Sequence, residues 1–384
     1  MARPSRIFAR ALTFPMIVAA FVIMAQAQVW KGRFVKEGEV TVAYNPKDPI
    51  YKEPALSLRA DWTIGGAAEQ GEQALARPYS IAVDKDGFLY VLDIQDASVK
   101  VYDGSGRFVR RIGRRGQGPG EIGAAFSILI PENSTILVFN DVGARRLAFF
   151  SLDGQFQKNL PMRGLPANPV MDSRFNIYLD STDIRNRRES LRKMNPEMSA
   201  VLTEIFDRPA DESHDPFKAR ARYVVDAKDE LVLGRAESYE IDYYDDIGVL
   251  RRRILRDYDP LKVTQADIDE FLKRGAPPGL NPTYDFASRH ACYRSFFVDD
   301  LGHLFVQTWE RTVDNRQDIH DIFDAQGRFV GRVAMPRHED LINPTLRILR
   351  RQKFYAIEPD DDGFDVVRRY SVTWSIPGEK PDKQ

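Results

Sequence analysis

Asp93, Asn140 and Asp180 each end a short run rich in aromatic and β-branched residues, LYVLD, ILVFN and IYLD. Single oxygens contributed by separate segments are the way a hard cation such as calcium is held, so the three predict a partial oxygen ring wherever those segments converge. Asp and Asn also begin turns by accepting backbone N–H groups, and the matching positions further along, Gly234, Gln307 and Glu358, break the series. Turn chemistry is therefore the preferred reading, with no cofactor expected and calcium as the alternative. The five histidines (His214, His290, His303, His320 and His338) fall at no metal-ligand spacing, which argues against zinc. The acids of EPDDDGFD (358–365) are consecutive and lack the alternate spacing and final Glu of a calcium loop.

GRRGQGPGEI (113–122) invites a phosphate-loop reading. Such a loop needs a Lys-Ser or Lys-Thr ending and a helix after it; this stretch has no lysine and runs into the apolar segment Phe126–Ile130. The glycines instead suit a tight crossing between two β units. Arg114 and Arg115 project from that crossing, and Arg145, Arg146, Arg187, Arg188, Arg220, Arg222, Arg289, Arg294 and Arg311 stand in comparable loops, a set suited to an anionic ligand or to pairing with the acids interleaved among them. Tyr239 and Trp309 are aromatic anchor candidates for a protein or polymer contact. The ligand-binding expectation rests on Arg114, Arg115, Arg145, Arg146, Tyr239 and Trp309, and no catalytic residue is assigned.

The elements that must position these residues repeat. AVDKDGFLYVLD (82–93) is a strand, an Asp-Gly turn and a second strand, and the shape recurs at 129–140, 170–180, 224–234, 297–307 and 348–358. Taking Val83, Ile130, Met171, Val225, Val298 and Leu349 as equivalent gives steps of 47, 41, 54, 73 and 51 residues. A second hairpin follows each of the first five, as in VYDGSGRFVRRI (101–112) and IFDAQGRFVGRV (322–333). Two hairpins per unit of this length predict four-stranded propeller blades. The sixth unit has one further strand, DVVRRYSVTW (365–374), and LSLRADWTIGG (56–66) is the spare strand expected to complete it. The fold expected is all-β, a six-bladed β-propeller of antiparallel blades over 56–376, closed by an N-terminal strand. Residues 28–55 form an extension and 377–384 a polar tail. VTQADIDEFLKRG (263–275) predicts a short helix, with Thr264 as N-cap, Asp267 three residues on and Gly275 as the stop, packed on the side of blade four or five or over the central channel.

GRFVRRIGRRGQGPGEI (106–122) after RPYSIAVDKDGFLYVLD (77–93) resembles the NHL-repeat type of blade. With VWKGRFVKEGEVTVAYNP (29–46) at its start, the mature chain is similar to a bacterial family of secreted six-bladed β-propeller proteins. The resemblance implies fold and compartment without a set activity. Propeller hydrolases and lyases that hold a central metal make a calcium-dependent enzyme the alternative to binding.

MARPSRIFAR, an apolar run over Ala11–Met24 and Ala25-Gln26-Ala27 predict a signal peptide cleaved after Ala27 and a secreted or periplasmic protein. Fourteen apolar residues fall short of the roughly twenty that span a bilayer, so no stable membrane anchor is expected. Its removal shifts 55 basic and 56 acidic residues to 52 and 56, which leaves no basic footprint for nucleic acid. Cys292 is the one cysteine, so no intrachain disulfide forms and packing alone must hold the core. The expectation is a monomeric binding or scaffold protein, not an enzyme, that meets a protein or extracellular polymer through its long loops, where function concentrates on a rigid scaffold.

Overall fold

Asp84 accepts the backbone N–H groups of Asp86 and Phe88, both at 2.9 Å, and so closes the first hairpin turn with its own carboxylate. Asp103, Asp172, Asp226, Asp245, Asp299, Asp324 and Asp360 repeat the device, each accepting from the residues two and four positions on. A side chain that copies the backbone turn bond fixes where each strand stops and in which register its partner returns.

The computed structural model describes residues 29–67, 69–162, 169–183, 185–211, 215–218, 220–273, 283–337 and 346–377; residues 1–28, where a signal peptide is expected, Gly275, His214, His338 and residues 378–384 lie outside them. The chain begins with strands β1 (Arg33–Glu37), β2 (Val40–Asn45) and β3 (Leu56–Ile64). Blade one is β4 (Pro78–Val83), β5 (Leu89–Asp93), β6 (Ser98–Tyr102) and β7 (Phe108–Ile112). Blade two is β8 (Ala125–Leu129), β9 (Ile136–Asp141), β10 (Arg146–Ser151) and β11 (Phe156–Pro161); blade three is β12 (Val170–Met171), β13 (Ile177–Asp183), β14 (Arg188–Met194) and β15 (Val201–Pro209). Blade four comprises β16 (Arg222–Val225), β17 (Leu231–Arg235), β18 (Glu240–Tyr244) and β19 (Leu250–Arg256). After helix α1 (Gln265–Lys273) comes blade five, with β20 (Ser295–Val298), β21 (Leu304–Arg311), β22 (Gln317–Phe323) and β23 (Phe329–Pro336). Blade six is β24 (Arg347–Arg350), β25 (Lys353–Pro359) and β26 (Asp365–Trp374), with β3 antiparallel to β26 as its outer strand, from Val367 opposite Ile64 to Trp374 opposite Leu56.

The core lies between blades. Each of six buried apolar clusters among the described residues joins two neighbours, for example Leu92, Val99 and Val101 of blade one with Leu137, Phe139 and Phe150 of blade two. Six blades with six such interfaces make a closed ring, and the cluster that joins Ile357 and Val367 of blade six to Ile81 and Val91 of blade one completes it.

The segment set apart as an N-terminal extension is part of this fold. Its strand β2 runs parallel to β19 and makes blade four a six-stranded sheet with β1 at the edge. The chain then passes along blade five, where Ile50, Tyr51 and Ala55 donate N–H groups to the carbonyls of Phe329, Val330 and Arg332, before entering blade six as β3. Asn45 pins this belt: buried, it donates to the carbonyls of Gly327 (2.9 Å) and Leu255 (3.2 Å) and accepts from the Phe329 N–H at 2.7 Å.

Candidate functional site

Strand alternation puts the two hairpin turns of each blade on one face of the ring. The turns between second and third strands, and the connectors between blades, lie on the other, called here the loop face. Asp93 stands at that face at the end of β5. Its carboxylate accepts from the N–H groups of Ala76 (2.8 Å), Arg77 (3.2 Å), Gln95 (3.1 Å) and Asp96 (3.3 Å) and pairs with Lys100 at 3.0 Å. Burial raises its pKa, but the hydrogen bonds and the Lys100 ammonium outweigh that and hold it below the ordinary carboxylate value.

The register corrects the equivalence drawn between Asp93, Asn140 and Asp180. Asp141, not Asn140, caps the matching turn of blade two, accepting from Gly123 at 3.0 Å and Ala144 at 3.3 Å. Asp183, not Asp180, does so in blade three, accepting from Arg185 and Asn186. In all three turns the residue four positions on, Ala97, Arg145 or Arg187, has a positive φ of 50–51°. Asn140 is buried and donates weakly to Ser127 at 3.4 Å, while Asp180 accepts from the Tyr223 hydroxyl at 2.7 Å. Among the described residues no three His, Cys, Asp or Glu side chains form a group that could hold a metal ion.

GRRGQGPGEI folds onto itself across the loop face. Gly113 has φ +78°, and a Cβ there would lie 3.1 Å from Ile122, so the crossing needs glycine. Glu121 accepts from the Gly118 N–H and from the Arg114 guanidinium at 3.1 Å, Ile122 donates to the Arg114 carbonyl, and Arg115 donates to the Gln95 carbonyl at 2.7 Å. Arg114, Arg115 and Arg145 remain exposed. Arg146 does not: it is buried against Asp141 at 3.1 Å and donates to the Glu121 carbonyl at 2.6 Å, holding the crossing down instead of facing a ligand. Tyr239 is likewise buried, with its hydroxyl 2.7 Å from Asp321, a carboxylate that Arg256 and Arg332 also bind; it is a core anchor. A loop tyrosine reads the same in sequence whether it meets a ligand or anchors the core, and Tyr239 does the latter.

Trp309 belongs to a larger assembly on the loop face of blade five. It stacks on His290 with ring centres 4.1 Å apart and a 20° tilt, meets the edge of Phe217, and carries the Arg294 guanidinium 5.0 Å from its ring centre. Helix α1 begins with the expected capping box, in which Thr264 and Asp267 exchange hydrogen bonds. From α1, Asp267 reaches His290 at 3.3 Å, Phe271 packs on Phe217 and Tyr284, and Glu270 bridges Arg311 and Arg337. The helix therefore sits against the loop-face end of blade five, not its side.

Beneath it, Asp318 is fully buried. Gln307 donates to it at 2.5 Å, and Arg294, Arg347 and Arg337 surround it at 3.4, 3.6 and 4.0 Å. Burial and the neighbouring guanidiniums push Arg294 down to about 9 against the pull of Asp318. The same burial, with Arg347 beside it, drives His320 well below its usual value, so it is neutral at pH 7. Arg294, Arg311 and Trp309 were legible as loop-face candidates. Asp318, Arg337 and Arg347 were not singled out, although one signal existed: Arg347 occupies the inner-strand slot that Ile81, Ile128 and Phe296 fill with apolar side chains.

The opposite face holds a cavity of about 250 Å³ on the ring axis, lined by the inner strands of blades two to six. Three of its acids join blades, Glu132 with Arg350 at 2.6 Å, Asp229 with Ser173, and Asp300 with the Arg351 N–H, while Asp226 and Asp299 close turns of their own blades.

Six four-stranded blades closed into a ring define a six-bladed β-propeller. A family model described as 6-bladed beta-propeller matches residues 72–208. Two solved structures are similar: a member of the DUF4221 family from Bacteroides vulgatus, with TM-score 0.52, 14% identity and coverage of 84% of this chain and 100% of that one, and a Bacteroides fragilis protein described as exported, with TM-score 0.55, 12% identity and coverage of 88% and 100%. At such identities the likeness carries the fold alone. No curated protein matches the sequence.

Proposed function

We propose that this propeller is an extracytoplasmic binding protein that acts as a monomer and presents its loop face to a protein or polymer ligand without performing chemistry. The observation that carries the reading is the concentration of arginine on that face, exposed at Arg114, Arg115 and Arg145 and buried around Asp318 under α1. Arginine forks suit carboxylate-, sulfate- or phosphate-bearing partners. The compartment follows from the N-terminal sequence, and the exported Bacteroides fragilis neighbour is in keeping with it; no helix among the described residues is long and apolar enough to cross a membrane. The absence of chemistry is supported by how the reactive side chains are spent. Cys292 is buried with its thiol pushed up to about 11 by desolvation, and His303 is bound to Asp299 at 2.8 Å inside a hairpin turn. Among the described residues no group of three His, Cys, Asp or Glu side chains supports the calcium-dependent alternative.

The test is quantitative capture from the extracytoplasmic fraction with the mature protein. The triple variant R114A/R115A/R145A is expected to lose the retained ligand by at least about tenfold, which is 1.4 kcal/mol, while R107A on the hairpin face keeps it. Equal retention by the triple variant, with loss in R107A, contradicts the assignment of the face.

A further inference from the structure

We infer that Arg294, Arg311, Arg337 and Arg347 form a binding site for a multi-oxygen anion, the carboxylate, sulfate or phosphate group of an acidic ligand; the inference rests on the loop face being the binding surface. Among the described residues four guanidiniums gather around two carboxylates, Asp318 and Glu270. Glu358, whose charge also acts on Arg347, already takes Arg368 and the Tyr370 hydroxyl. Each guanidinium brings five N–H donors and no acceptor. The Nε–H of all four is buried without an acceptor, and so is the indole N–H of Trp309 beside them.

Buried unpaired donors cost stability and are rare, and like charges brought together out of water cost more. A set assembled only for stability would be neutralised within itself. Among the described residues two other arginines, Arg252 and Arg256, have a buried Nε without an acceptor, and they show how the fold treats a structural guanidinium: Arg252 lies 3.9 Å over Tyr243, and Arg256 lies over Phe329 at 4.3 Å with its charge on Asp321. In the cluster, by contrast, the surplus donors and charge match what one oxyanion supplies. Access is retained at its rim, where the Arg311 side chain keeps 19% of its surface and Arg337 and Arg347 keep 10%. Glu270 on α1 bridges two of the four, so the helix is tied to the site that it covers.

The experiment is calorimetric titration of the mature protein with sulfate, phosphate and malonate at constant ionic strength balanced by chloride, together with thermal unfolding in each salt. Saturable binding is expected, with Tm rising by about 2 °C at ten times the Kd relative to chloride; malonate against sulfate tells whether a planar or a tetrahedral group is preferred, and either response supports the site. R311Q, at the rim, and R347Q are expected to weaken the anion at least about tenfold and to unfold in chloride at or above the wild-type temperature, because each relieves charge repulsion. R107A, on the hairpin face and paired there with Asp103, keeps the response. No saturable heat in the wild type, or an undiminished response in R311Q and R347Q, overturns the site. If the anion site fails while R114A/R115A/R145A still abolishes ligand capture, the loop-face reading stands without it; if anions bind and capture is indifferent to the triple variant, that reading fails and the anion site stands.

Discussion

Asp93 keeps a fully buried charge because four N–H groups and one ammonium converge on it. Removing the charge strands Lys100, which is itself buried, and breaking a buried pair from one side costs about 3–5 kcal/mol; Asp96, also within 2.7 Å of Lys100, places D93N near the lower end. The pKa of Asp93 is depressed in the folded state, so its contribution is present above the unfolded value near 4 and is lost as pH falls below it through the folded value. Denaturant titrations from pH 2 to 7 are expected to show a lower plateau for D93N and a shallower loss of stability below pH 4. Identical acid limbs in both proteins would contradict the role. Asp93 could be picked from sequence because LYVLD ends on it. Its counterparts were missed because ILVFND ends in two turn formers and IYLDSTD continues for three residues beyond Asp180; residue type alone does not say which oxygen meets the turn, whereas the positive φ four residues later does.

At the scale of elements, the belt from β2 to β3 depends on Asn45. N45A removes two donors from carbonyls and orphans the buried Phe329 N–H, and a loss of about 2–3 kcal/mol is expected. The check is the urea midpoint, which should fall at an unchanged m-value; an unchanged midpoint would show the belt to be ornamental. The hairpins were legible because Asp-Gly turns and period-two alternation are local signals, and the Thr264–Asp267 capping box is local as well. The belt was not legible, since the parallel pairing of β2 with β19 joins residues more than two hundred apart and no local pattern records it. For the same reason the arginines around Asp318 were only half visible: Arg294 and Arg311 stand in loops, whereas Arg337 reaches Asp318 from the end of the outer strand of blade five and Arg347 from the inner strand of blade six.

The whole ring is stabilised between blades, and those contacts are uneven. Among the described residues the clusters on either side of blade three hold six and five buried apolar residues, against eleven to fourteen at the other four interfaces, so blade three should open first, with amides of β13 and β14 exchanging hydrogen ahead of those of β5 and β21. The repeat spacing made the ring legible, because a steady step of this size admits few architectures; it left open which face serves function, since both ends of every blade carry charge. Site-specific photo-crosslinking in the native compartment decides that most directly, with the reactive side chain placed at Arg114, Arg145 or Asn315 on the loop face and at Ser105 or Lys228 on the hairpin face. Adducts from the first three positions and none from the last two are predicted. Adducts confined to Ser105 and Lys228 would contradict the account and move the site to the axial cavity.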